Sequence, residues 1–164
     1  MQVSCLSDST LDSTLSRNGL RVLLVYPNTR DVAMANLGFQ KVYSLLNQIE
    51  GVVCDRYALP LGWKPETESL EREALRSIDL KMHPLEFDVI AFSISFEPDY
   101  LNAVLALKYF GIPLDRDKRD ASFPMITAGG LAIFINPEPL AECMDVLFIG
   151  EGEGPGVDQM VRGD

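Results

Sequence analysis

The sequence predicts an α/β three-layer sandwich around a mostly parallel sheet of about five strands. Three observations carry this. Short apolar, β-branched runs recur along the chain, and each stops at a Gly, Pro or Asn turn. Stretches with helical spacing of apolar residues lie between them. Finally, 164 residues at 47% hydrophobic content suffice for one ordinary core and leave no room for a second large domain.

The first strand is read from Leu20 to Tyr26, a nearly unbroken apolar run ending at Pro27-Asn28, as expected of a strand buried on both faces. Met34, Leu37, Val42, Leu45, Leu46 and Ile49 then repeat at helical spacing and predict one helix of roughly four turns, stopped by Gly51. Val52 to Ala58 reads as a second strand ending before Pro60. Glu66 to Ile78 contains no Gly or Pro and sets Leu70, Ala74, Leu75 and Ile78 on one side, predicting a surface helix. Phe87 to Ser93 is a further buried strand, followed by a helix bearing Leu101, Val104, Leu105 and Leu107 that closes at Gly111. Pro124 to Ala128 and Asp145 to Ile149 complete the strands, with Asn136 and Pro137 expected to start a short helix between them. Residues 1–19 have neither a basic head nor an apolar stretch and are expected to form a flexible tail, leaving 20–164 as the domain.

Composition narrows the function. Fourteen Lys and Arg against 24 Asp and Glu give a net charge of −10, which repels a phosphate backbone and argues against nucleic acid as a partner. No window is apolar enough for a membrane span. Cys5, Cys54 and Cys143 lack a C-x-x-C spacing, so neither a disulfide framework nor a cluster motif is expected, and a reducing cytoplasm fits best.

Ligands of such sheets bind beyond the carboxyl ends of the strands. Those loops hold Asn28 and Thr29, Ser93 and Ser95, Gly129 and Gly130, and Gly150 and Gly152, with Gly38 closing the first turn. Small and hydroxyl side chains let a backbone approach a large flat cofactor or its nucleotide tail, and the same residues also serve as plain strand-to-helix turns. The residues alone leave both readings open. A dinucleotide is disfavoured because residues 27–38 hold one glycine instead of G-x-G-x-x-G, and the carboxylates of Gly150-Glu151-Gly152-Glu153 would repel a pyrophosphate. His83, the single histidine, precedes a strand and belongs on the opposite edge. Glu97, Asp99, Glu138, Glu142, Asp145, Glu151 and Glu153 show no metal-loop order and read mostly as helix-start or solvated charges.

The succession Phe87-Asp88-Val89-Ile90-Ala91-Phe92-Ser93, Glu97, Tyr100-Leu101-Asn102, Gly111-Ile112-Pro113, Ala128-Gly129-Gly130, Asn136-Pro137-Glu138-Pro139-Leu140-Ala141 and Ile149-Gly150-Glu151-Gly152-Glu153 resembles a known family. It is similar to the N-terminal cobalamin-binding-type domain of radical S-adenosylmethionine proteins. Pro27-Asn28-Thr29 and Met34 to Phe39 extend the likeness, which covers about residues 20 to 155. The resemblance implies a Rossmann-like, flavodoxin-like sheet followed by a barrel whose C-x-x-x-C-x-x-C motif holds a [4Fe–4S] cluster and uses S-adenosylmethionine. That motif does not occur in this sequence, so the domain is expected to be an accessory and not the catalyst.

The resemblance also implies cobalamin, with a departure. The D-x-H-x-x-G motif that supplies a lower cobalt ligand should follow the first strand, where this chain has Asn28-Thr29-Arg30-Asp31-Val32-Ala33 and no His. Cobalamin would therefore sit histidine-off, cradled by Asn28, Thr29, Gly38, Ser93, Ser95, Gly129, Gly130, Gly150 and Gly152. The alternatives are a cofactor-free domain that docks on the barrel, and a flavodoxin-like protein that binds a mononucleotide. Self-association through rim surface left uncovered is a further expectation.

Overall fold

The structure, a computed structural model, describes residues 19–150. Residues 1–18 of the expected tail, and Gly152, lie outside them. Five strands form one all-parallel sheet in the order β2-β1-β3-β4-β5: β1 Leu20–Thr29, β2 Val52–Leu59, β3 Val89–Ser93, β4 Met125–Gly129 and β5 Val146–Leu147. The order reverses between β1 and β3, so the connections leave these two strands in opposite directions and open a crevice at their carboxyl ends.

Alternation along the buried strands sorts the core onto two faces. On one, Leu23, Val25, Tyr57, Ile90, Phe92, Ile126 and Ala128 meet helix α3 (Asp99–Tyr109) through Ala103, Ala106, Leu107 and Phe110. On the other, Val22, Leu24, Tyr26, Cys54 and Ala91 meet helices α1 (Arg30–Ala35) and α2 (Leu37–Leu46) through Ala33, Phe39 and Leu46. Edge-on aromatic contacts lock both layers, Tyr57 against Phe110 and Tyr26 against Phe39.

Several elements differ from the sequence expectation. The single four-turn helix is split, because the Asn36 side chain accepts from the Phe39 amide at 2.9 Å and caps α2. Strand β1 runs on through Pro27 to Thr29 beyond its expected stop, with an irregular register after Tyr26. Strand β5 is shorter than expected, two residues long. A short helix α4 (Leu131–Ile135) follows β4, and Asn136 ends it, while Pro137 precedes a 3-10 turn over Glu138–Leu140.

The largest correction is Glu66 to Ile78. It is no helix but part of an irregular strap containing one 3-10 turn, Arg72–Leu75. Tertiary bonds override its helix propensity. Buried Asp55 accepts the amides of Asp79 (3.1 Å) and Leu80 (2.8 Å), the Tyr57 hydroxyl donates to the Ala74 carbonyl (2.9 Å), and the Ile78 amide donates to the Arg56 carbonyl (2.8 Å). Trp63 anchors the strap's start, its indole N–H meeting the Tyr109 hydroxyl at 3.2 Å.

The exposed edge of β2 is closed by a side chain. Asn47 receives the Cys54 amide (2.9 Å) and donates to the Cys54 carbonyl (3.0 Å), as a neighbouring strand would. Cys54 itself is buried, and desolvation pushes its thiol well above the usual range. Among the described residues no helix is long and apolar enough to cross a membrane.

Candidate functional site

The site begins where β1 and β3 end. Asn28, on the last turn of β1, donates through Nδ2 to Asp99 Oδ1 (2.9 Å), and its own Oδ1 accepts the Thr29 amide (2.8 Å). Asn102, one turn into α3, donates to the same Asp99 oxygen (3.1 Å) and to the Pro27 carbonyl (2.9 Å). Two neutral amides thus converge on one carboxyl oxygen and pin α3 to β1. The other oxygen, Asp99 Oδ2, is buried with no hydrogen-bond partner. Burial raises the Asp99 pKa, with the Asn28 and Asn102 hydrogen bonds pulling the opposite way.

Across the crevice Asn36 donates to Tyr26 Oη and to Ser95 Oγ, both at 3.3 Å, while its carbonyl oxygen caps α2. Asn28, Ser95 and the Asn36 cap are therefore brought together at the switch point, and much of their hydrogen-bonding capacity is spent within the protein. Gly38, exposed in the first turn of α2, stands beside this cap.

The glycine pair after β4 has a different task. At Gly130, φ is +112°, and a Cβ there would lie 2.4 Å from the Ile94 carbonyl oxygen and 3.0 Å from its carbon and nitrogen. The β3 and β4 ends approach so closely that backbone occupies the space a side chain would need. Two hydrogen bonds run through this contact, Ile94 amide to Gly129 carbonyl (2.8 Å) and Ala132 amide to Ile94 carbonyl (3.2 Å). Gly129 has more room, its nearest contact being Phe148 Cβ at 3.4 Å, and Gly150 meets nothing within 4 Å.

Beyond these loops the rim is apolar. In α4, Ala132 and Ile133 enter the core, while Leu131, Phe134 and Ile135 share the outward face at i, i+3 and i+4. With Leu37, Phe96 and Ile149 they make six large apolar side chains at the carboxyl edge, from 56% to 84% exposed. Elsewhere on the described surface Leu61 (85%) follows β2, Leu101 (55%) lies on α3 and Met125 (51%) begins β4, while Val32, Leu85, Leu114 and Val146 are 37% to 41% exposed. Tyr100 braces α4, its hydroxyl lying 2.8 and 2.7 Å from the Ala132 and Asn136 carbonyl oxygens. The amino edge is instead tied by ion pairs, Arg21 to Asp88 at 3.2 Å and Arg119 to Asp145 at 2.7 Å.

The fit to a corrin cofactor divides. No histidine reaches the rim: His83 lies at the amino edge, where Nδ1 accepts the Leu85 amide at 3.2 Å and caps a 3-10 turn. Among the described residues no imidazole is therefore placed to serve a cobalt ion at this rim. On the sheet face shared with α1 and α2, however, Ala91 pairs with Thr127 and Ser93 with Gly129, a surface of small residues. Thr127 Oγ1 is buried there without a hydrogen-bond partner. The sequence did not single out Thr127, the bonding role of Asn102 or the outward face of α4; it offered Asp99 among several oxygen ligands that read mostly as helix-start or solvated charges, and Asp99 is the buried first residue of α3.

Comparison with known proteins accords with this architecture. Residues 38–161 match the family described as radical SAM proteins, N-terminal. The uncharacterized protein MJ0966 of Methanocaldococcus jannaschii is 37% identical over 71 residues, which make up 43% of this chain and 14% of that protein. The match thus spans about a seventh of that relative's length. No solved structure matches. The family match spans well over half of the chain, from α2 past β5, and this protein therefore belongs to the family of radical SAM protein N-terminal domains.

Proposed function

We propose that the domain is an accessory that docks through its carboxyl-edge rim onto a radical SAM catalytic domain. One observation carries this reading: α4 turns Leu131, Phe134 and Ile135 outward together, although a helix apolar on all sides is normally buried on all sides. A soluble monomer rarely leaves such a cluster uncovered. The rim's polar groups support docking over capture of a polar small molecule, since Asn28, Asn36, Asn102 and Tyr100 already bond within the protein.

The test is association of the domain with its cognate catalytic domain, each produced separately and followed by analytical ultracentrifugation. The double variant Phe134→Ser, Ile135→Ser should lose the complex, while Leu85→Ser, altered at the amino edge, should keep it. Equal loss in both, or no complex with the unaltered domain, refutes the reading.

Buried, unpartnered Thr127 Oγ1 favours a second reading, in which the small-residue face of β3 and β4 receives the flat base of a cobalamin tail. Ser93 and Thr127 would orient that base, and Gly129 would give it room. When bound, the corrin would supply the methyl or radical chemistry. Titration with hydroxocobalamin, followed in the visible spectrum and by thermal melting, tests this: saturable binding weakened by Thr127→Val supports it, and no binding refutes it.

A further inference from the structure

We propose that Tyr100 is the positioning residue of the docking face, and that the first turn of α3 couples this face to the polar crevice between β1 and β3. The inference rests on the docking reading and adds what sets and regulates its surface. Helix α4 has five residues, well short of the length at which a helix holds by itself in water. No side chain caps its start, where Gly130 stands at φ +112°. Its outward side chains therefore keep one arrangement only through tertiary bonds. Ala132 and Ile133 enter the core, and the Ala132 amide donates to the Ile94 carbonyl at 3.2 Å. The far end rests on Tyr100.

The Tyr100 hydroxyl lies 2.8 Å from the Ala132 carbonyl oxygen and 2.7 Å from that of Asn136, the residue that ends the helix. The Ala132 carbonyl also accepts the Asn136 amide at 2.8 Å. A hydroxyl carries one proton, so Tyr100 shares it between two oxygens at the end of α4, where carbonyls have no partner further along the helix. That contact fixes the direction in which α4 leaves β4, and with it where Phe134 and Ile135 point. The preceding residue, Asp99, is held on the other side. Its Oδ1 accepts from Asn28 on β1 (2.9 Å) and from Asn102 (3.1 Å), and Asn102 also donates to the Pro27 carbonyl (2.9 Å). Two consecutive residues of one helical turn thus grip β1 and α4. Loosening the Asn28 bond would reach α4 through Tyr100, although Asn28 carries none of the exposed apolar surface, and the state of the crevice would set the strength of docking.

The measurement is the dissociation constant of the full chain with its cognate catalytic domain for Tyr100→Phe, Asn28→Ala and the double variant, with amide exchange and thermal melting of each free chain. Tyr100→Phe keeps the ring and removes only the hydroxyl. Binding should weaken by about three- to tenfold, the worth of one hydrogen bond spent on holding the competent arrangement, and the Phe134 and Asn136 amides should exchange faster. Asn28→Ala should act in the same direction, and the double variant should bind no more weakly than Tyr100→Phe alone, because both act through one turn. A bond that only stabilises the domain would lower the melting temperature and leave the dissociation constant unchanged, and that result in Tyr100→Phe overturns the positioning role while leaving docking intact. Losses that multiply in the double variant overturn the coupling to the crevice. Failure of the unaltered chain to associate overturns docking itself, and with it the inference.

Discussion

Replacing Gly130 by Ala probes the tightest contact at the rim. The substitution asks an L residue to take φ = +112°, and it places a methyl carbon 2.4 Å from the Ile94 carbonyl oxygen. Backbone strain in a glycine-only region costs about 1 to 3 kcal/mol. Relief of the clash must separate the ends of β3 and β4, weakening the Ile94-to-Gly129 and Ala132-to-Ile94 bonds at about 1 kcal/mol each. The sum is about 3 to 5 kcal/mol, a large share of the roughly 5 to 15 kcal/mol that holds a domain together, and it should lower Tm by about 8 °C or more. Gly111→Ala is the control: φ there is +76° but nothing lies within 4 Å of the new Cβ, so about 1 kcal/mol is expected. Thermal unfolding followed by circular dichroism reads both. If Gly130→Ala melts within about 2 °C of Gly111→Ala, the neighbouring backbone yields easily and the close-packing account is wrong.

Asp55→Asn should free the strap, since an amide cannot accept both the Asp79 and Leu80 amides; a loss of about 1 to 3 kcal/mol in urea unfolding is expected, with faster amide exchange confined to residues 77–82. Asn47→Ala should cost about 1 kcal/mol and leave the Cys54 edge open, raising concentration-dependent light scattering above that of the parent protein. Asp99 gives a pH signature. Its carboxyl is raised in the folded state, so its contribution is greatest below the unfolded value of about 3.9 and is lost as pH rises through the folded value. Asp99→Asn removes that loss, so the variant should gain stability relative to the parent between pH 4 and pH 7. Asp88, whose pKa is lowered chiefly by hydrogen bonds from Arg21 against an opposing burial effect, is common to both proteins and cancels. A relative loss over that range would contradict the burial argument.

The sheet was legible because its strands are short apolar runs with turn residues at their ends, a signal local to each segment. Ile90-Ala91-Phe92 and Ile126-Thr127-Ala128 announce themselves in this way and pair in register. The strap was not legible, because Glu66 to Ile78 has genuine helix propensity and loses it only to Asp55 and Tyr57, more than fifteen residues away in the chain. The split at Asn36 follows the same logic on a smaller scale: the apolar period runs through it, and one side-chain cap interrupts it. At the rim, residue types drew attention to the loops that follow the strands, yet the role of Gly130 depends on how closely another strand passes. The exposed face of α4 was hidden for a different reason. Leu131 to Ile135 is apolar at every position, so periodicity has no polar side from which to tell inward from outward.

Hydrogen exchange of the domain, free and with its cognate catalytic domain, tests docking most directly. The account predicts added protection at residues 94–98, 130–136 and 148–150, with none at the amino-edge residues 84–88 and 120–124. Protection centred on the amino edge, or a complex that leaves the α4 amides exchanging as they do in the free domain, would contradict it.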